Sequence, residues 1–121
     1  MTPRRRSLFV LLLWCLCGPA LARDIADMTG QTVNLPDRPL RAFASIPPLT
    51  SFLEVVAPDV VVALNRPLTD GERPYLSPGL STLPVAGGWF GNGAGANLEL
   101  LASLRPDVIV MEAENPVAGD I

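Results

Sequence analysis

The residues that could do chemistry are few in kind. The 121-residue chain carries twelve carboxylates and nine arginines, and it has neither histidine nor lysine. Without lysine there is no Schiff-base chemistry. Without histidine the usual general base and the commonest metal ligand are both missing. Glu112 and Glu114 sit where strand alternation would turn both to one face, but lone acids on a loop are ordinarily solvated. Gly91-Asn92-Gly93-Ala94-Gly95 fits neither phosphate-loop pattern and lacks the lysine one of them needs. No catalytic residue and no cofactor is assigned. Without histidine or cysteine a bare ferric site would lack donors, so an iron ligand would have to arrive already chelated. What remains is binding chemistry. Trp89 and Phe90, set among glycines, form an apolar platform that could stack on a macrocycle or chelate, or plug the core beneath the loop. Arg66 could pair with an anionic ligand or stay a solvated loop charge. Glu112 could line a cleft rim.

The start of the chain addresses it for export. Arg4, Arg5 and Arg6 precede the apolar run Leu8 to Cys17, and Ala20-Leu21-Ala22 is a small-x-small cleavage site. Ten apolar residues at about 1.5 Å each cannot cross a bilayer core of about 30 Å. Residues 1–22 are therefore predicted to be a cleaved signal peptide of the general secretory type, with a weaker hint of a twin-arginine signal. Cleavage removes Cys15 and Cys17, so the mature chain has no disulfide, thiol nucleophile or cysteine metal site. An oxidising compartment without cysteines suits a bacterial periplasm. Three of the nine arginines leave with the leader and no acid does, so the net charge goes from −3 to −6, six arginines against twelve acids. That argues against nucleic acid and against an anionic membrane surface as partners.

The elements that must position the binding residues can be read from apolar runs and breakers. A hairpin is expected where 25–28 and 32–35 flank Thr29-Gly30-Gln31. Ala42 to Ile46 reads as a first core strand. Pro48 suits a first helical turn, and Leu49, Phe52, Leu53 and Val56 fall on one face of a helix that Pro58 ends. Val60 to Leu64 reads as a strand buried on both faces. Residues 65–83 read as a long loop with one helical turn around Glu72 to Leu76. Pro84 to Gly87 is a short third strand. Asn97 is a good N-cap for a helix that buries Leu98, Leu101 and Leu104. Pro106 stops it, and Asp107 to Met111 is a fourth buried strand. The order strand–helix–strand–loop–strand–helix–strand predicts an α/β fold: a parallel sheet with flanking helices and right-handed crossovers, preceded by the hairpin. The ten residues after Met111 are too few for the helix that a last parallel strand needs, so the lobe over 23–121 is expected to be incomplete.

Asn97-Leu98-Glu99-Leu100-Leu101-x-x-Leu104-x-Pro106-Asp107-Val108-Ile109-Val110 resembles a segment of the iron-siderophore and cobalamin class of periplasmic solute-binding proteins, which serve ABC importers. Three further pieces resemble that family in order. They are Asp27-x-x-Gly30-Gln31-x-Val33-x-Leu35-Pro36, where Gln31 replaces the usual Arg, then Ser45-Ile46-Pro47-Pro48-Leu49-Thr50, and Leu83-Pro84-Val85-Ala86-Gly87-Gly88-Trp89. The resemblance implies the N-terminal, Rossmann-like lobe of a two-lobed protein that holds its ligand between the lobes. By position it places Pro47, then Asn65 and Arg66, then Trp89 and Phe90 on three strand-end loops that face the ligand, as the switch-point rule also expects. Glu99 matches the family's docking glutamate for arginines of the membrane permease. It lies in a first helical turn, where the dipole favours its charge by about 0.3–1 kcal/mol.

The resemblance implies a monomeric, non-enzymatic binding protein for an iron-siderophore, haem or cobalamin. Two other readings stand beside it. One is an exported α/β hydrolase-like enzyme, which would need a nucleophile with a base that this stretch lacks. The other is an inactive truncated fragment.

Overall fold

The computed structural model describes residues 22–91 and 95–115. Residues 1–21, which hold nearly all of the expected signal peptide, residues 92–94 and residues 116–121 lie outside the described residues. Six elements order the rest. They are β1 (Ala22–Ala26), β2 (Thr32–Pro36), β3 (Ala42–Ala44), α1 (Pro47–Val56), α2 (Leu98–Leu104) and β4 (Val108–Val110). Three short 3-10 turns fall between α1 and α2.

The expected hairpin is present, with β1 antiparallel to β2 and Ile25 opposite Val33. Its turn is organised by Asp27, whose carboxylate accepts from the Thr29 amide, the Thr29 hydroxyl and the Gln31 amide at 2.7–2.8 Å. The Thr29 hydroxyl bond, then the backbone amides, hold the Asp27 carboxyl below its usual range. The hairpin is mostly exposed and adds little to the core.

The core is a small parallel sheet. β4 pairs with β3 in register Ala42–Val108, Phe43–Ile109, Ala44–Val110. On the other side of β3, residues 61–64 join through a parallel bridge at Val61, and residues 84–86 join them through Leu64 and Val85. The Val62 amide donates to the Ala42 carbonyl, and Leu64 exchanges bonds with Pro84 and Ala86. The spatial order is therefore β4, β3, 61–64, 84–86, all parallel, as the βα alternation requires. Phe43, Val62, Ala63, Ala86 and Leu101 form one buried cluster. Ala42, Ala44, Leu53 and Val61 form another on the opposite face, under α1. Strand alternation explains the split, because Phe43 points away from its two neighbours.

Several element predictions needed correction. The second strand is a pair of bridges instead of a full ladder, and Val60 sits in the 3-10 turn Pro58–Val60 that precedes it. β4 is half-buried, not buried on both faces, because among the described residues it pairs on one side only. In α1 the inward residues are Leu49 and Leu53, while Phe52 is 59% and Val56 56% exposed. In α2 Leu98 is 56% exposed. Leu101 and Leu104 pack inward as predicted, and Leu100 takes the place of Leu98. The cap itself holds, since the Asn97 side chain accepts from the Leu100 amide at 2.9 Å. Arg105 closes the helix in the left-handed region at φ 48°.

Candidate functional site

The parallel arrangement brings the carboxyl ends of β3, 61–64 and 84–86 to one edge of the sheet, and the loops that follow meet there. Ser45 and Ile46 leave β3 and turn at once into α1, whose first two positions are Pro47 and Pro48. Asn65 leaves the second segment and is buried. Its amide nitrogen donates to the Ala44 carbonyl at 3.1 Å and to the Thr50 hydroxyl at 2.7 Å, which ties the second loop to the start of α1. The third loop closes over both. Gly88 packs so tightly that a Cβ there would lie 2.2 Å from the Ser45 carbonyl oxygen and 2.9 Å from the Asn65 Cβ. Only glycine tolerates that approach. The next amide, of Trp89, donates to the same Ser45 carbonyl at 3.2 Å. Ser45 is fully buried, and its hydroxyl has no hydrogen-bond partner among the described residues.

The predicted crevice residues meet at this junction, whereas Glu99 and Glu112 lie away from it. Pro47, Asn65 and Arg66 line one shallow depression of about 40 Å³, together with Thr50, Glu54 and Glu72. Such a volume holds a water or two. Trp89 is half-buried and meets Phe43 edge to face, with ring centroids 6.3 Å apart. Its ring therefore packs on the core side of the loop, while Phe90 is the more exposed of the pair. Arg66 is not a free charge. Its two terminal nitrogens both reach the Glu72 carboxylate, one at 3.0 Å, and that nitrogen also donates to the Pro67 carbonyl at 3.1 Å. Glu72 accepts in addition from the Thr69 amide and hydroxyl at 2.8 Å. Arg66, and then the Thr69 amide and hydroxyl, lower the Glu72 carboxyl from an ordinary value of 4.5 to about 2. The same pairing raises Arg66. Glu112 lies elsewhere, beside a larger hollow of about 640 Å³ between the hairpin turn and the end of β4. Glu99 stands in the first turn of α2, exposed to solvent.

Sequence reading missed three residues that shape the junction. Glu72 was seen only as part of a helical turn, although an acid six residues beyond Arg66 in one loop was the available signal. Glu54 accepts from the Ser77 amide at 2.7 Å and pins the long 66–83 loop to α1, a contact between segments that no local pattern marks. Gly88 stood among other glycines with nothing local to mark it. Among the described residues no group of three or more histidine, cysteine or acidic side chains is placed to hold a metal ion.

No family model and no curated protein matches the chain. Solved structures do. An ABC transporter solute-binding protein from Sulfurospirillum deleyianum gives a TM-score of 0.70 at 28% identity, over 81% of this chain and 32% of its own. A periplasmic solute-binding protein from Veillonella parvula gives 0.68 at 22% identity, over 83% and 32%. The fold is that of part of one lobe of a solute-binding protein. The molybdate periplasmic binding protein MolA of a Haemophilus influenzae ABC transporter, solved with molybdate, gives 0.54 at 25% identity, over 72% and 27%. The chain thus spans about a third of each neighbour's length. These neighbours are transport binding proteins, not enzymes.

Proposed function

We propose that the chain supplies part of the first lobe of a periplasmic substrate-binding protein for an ABC importer, with its strand-end loops as one wall of the ligand crevice. The observation that carries this is the convergence of three loops on Ser45. Gly88 packs against Ser45 and Asn65, Trp89 bonds to the Ser45 carbonyl, and Asn65 is tied to α1. Ligands of open parallel sheets bind at such strand ends. The solute-binding structures that share the fold support the reading. The cargo is a chelated metal such as an iron-siderophore, haem or cobalamin, the class that the sequence resemblance implies. Pro47, Asn65, Arg66 and Phe90 line the crevice, and Trp89 backs it from the core side. The protein works as a monomer, after removal of residues 1–22.

The test uses the complete gene product. Among residues 23–121 Trp89 is the only tryptophan, and the part of the emission that a Trp89→Phe variant loses reports on the third loop. Titration with ferric siderophores, haem and cobalamin should change that emission saturably. No response across the panel would overturn the reading. The exposed Glu99 contacts the permease arginines, and a charge pair of that kind governs orientation and encounter rate. Glu99→Arg should therefore impair uptake in cells while leaving ligand affinity unchanged. A loss of affinity would place Glu99 in the crevice or the fold instead.

A further inference from the structure

We infer that this wall selects a neutral or cationic chelate and rejects oxyanions, because the one guanidinium at the loop junction is closed onto Glu72. The inference rests on the binding-protein reading above and names the charge class of its ligand.

Three features of the junction lead there. The first is the Arg66–Glu72 pair. An anion reaching Arg66 must displace a carboxylate held by two guanidinium nitrogens, and that also takes a backbone amide and a hydroxyl from Thr69. Glu72 is tethered six residues away, so it competes at an effective concentration of about millimolar or more. Displacing it would leave the Glu72 carboxylate without its cationic partner in the depression that Glu54 also lines.

The second feature is the start of α1. A helix N-terminus normally offers an anion its free amides. Here the first two helical positions are Pro47 and Pro48, which have no N–H. The Thr50 amide is already bonded to the Ile46 carbonyl at 3.1 Å. The helix end at this junction therefore lacks most of the donors an oxyanion would use.

The third feature is the charge count and what the wall does offer. Glu54 and Glu72 set two carboxylates against Arg66 in one depression. Pro47 and Phe90 give an apolar surface. Asn65 spends both its bonded amide hydrogens on Ala44 and Thr50, and its carbonyl oxygen accepts from no described residue. An acceptor beside an apolar surface suits the amide and hydroxyl donors of an uncharged or cationic chelate.

Equilibrium dialysis and Trp89 emission on the complete gene product test this with four probes: cobalamin (neutral), ferrioxamine B (cationic), ferric citrate and molybdate (both anionic). The wild type should bind a neutral or cationic probe and ignore the anionic pair. Glu72→Gln, which frees Arg66, should raise affinity for an anionic probe by about tenfold or more. Stronger wild-type binding of molybdate or ferric citrate overturns the inference while leaving the binding-protein reading intact. So does a folded Glu72→Gln variant with no gain for anions. If that variant does not fold, the wild-type preference decides alone. Silence towards all four probes overturns the binding-protein reading itself.

Discussion

At the scale of single residues, the junction is governed by which polar groups are already engaged. The Arg66–Glu72 pair is about one-third exposed on each side, so solvent screens it and its contribution to stability is modest. The sign of its pH dependence is nevertheless fixed. Glu72 has a folded value below its ordinary one. Its contribution is therefore fully present above pH 4.5, and it is lost as the pH falls towards about 2. Thermal melting of wild type against Glu72→Gln should show a gap at pH 7 that closes by pH 2–3. A gap that widens in acid would contradict the pairing. The buried Ser45 hydroxyl is the opposite case. Among the described residues it is a polar group without a hydrogen-bond partner, of a kind that costs about 1–3 kcal/mol where it occurs. The close contact that Gly88 and Trp89 make over Ser45 rests on its backbone carbonyl, which accepts from the Trp89 amide, and not on the hydroxyl.

At the scale of elements, boundaries written in local residues were legible and packing faces were not. The prolines at 47, 48, 58 and 106 and the cap at Asn97 place both helices correctly to within a residue or two, because each acts through its own backbone geometry. Removing the cap should matter in proportion: Asn97→Ala leaves the Leu100 amide without its acceptor and should cost about 1 kcal/mol in a denaturant melt. The faces were harder. Leucine occupies 98, 100, 101 and 104, and periodicity alone fits more than one stripe through them. The structure chooses Leu100, Leu101 and Leu104, because Asn97 is tied by its amide to the Ala86 carbonyl at 2.7 Å, which sets the rotation of the helix. In α1 the short sheet beneath covers Leu49 and Leu53 but does not extend to Phe52. The candidate site was legible to the same degree. Pro47, Asn65, Arg66 and Trp89 could be placed on strand-end loops from the order of elements. The partner of Arg66, the side of the loop taken by Trp89 and the closeness of Gly88 depend on distances that no local pattern encodes.

At the scale of the whole molecule, two thin clusters separated by one sheet layer carry the fold. Phe43 is the largest fully buried side chain and lies at the centre of the cluster that Trp89 closes. Phe43→Ala should cost about 3–5 kcal/mol. For so small a core that is a large part of the total stability. Trp89 emission and far-ultraviolet circular dichroism should then lose their transitions together, whereas separate transitions would mean that the third loop is not part of the core unit. One contact has a bearing on how the chain reaches this state. The Asp107 carboxylate accepts from the amides of Leu40 and Arg41 at 2.8 and 3.0 Å, across 67 and 66 positions of sequence. The Arg41 side chain in turn donates to the Leu104 carbonyl at 2.8 Å. The innermost strand is thus anchored by residues that emerge from the ribosome long after it. Closing a loop of that span is slow relative to local helix formation. In a chain exported as proposed, that arrangement would leave the strand unlocked until its later residues had also crossed the membrane.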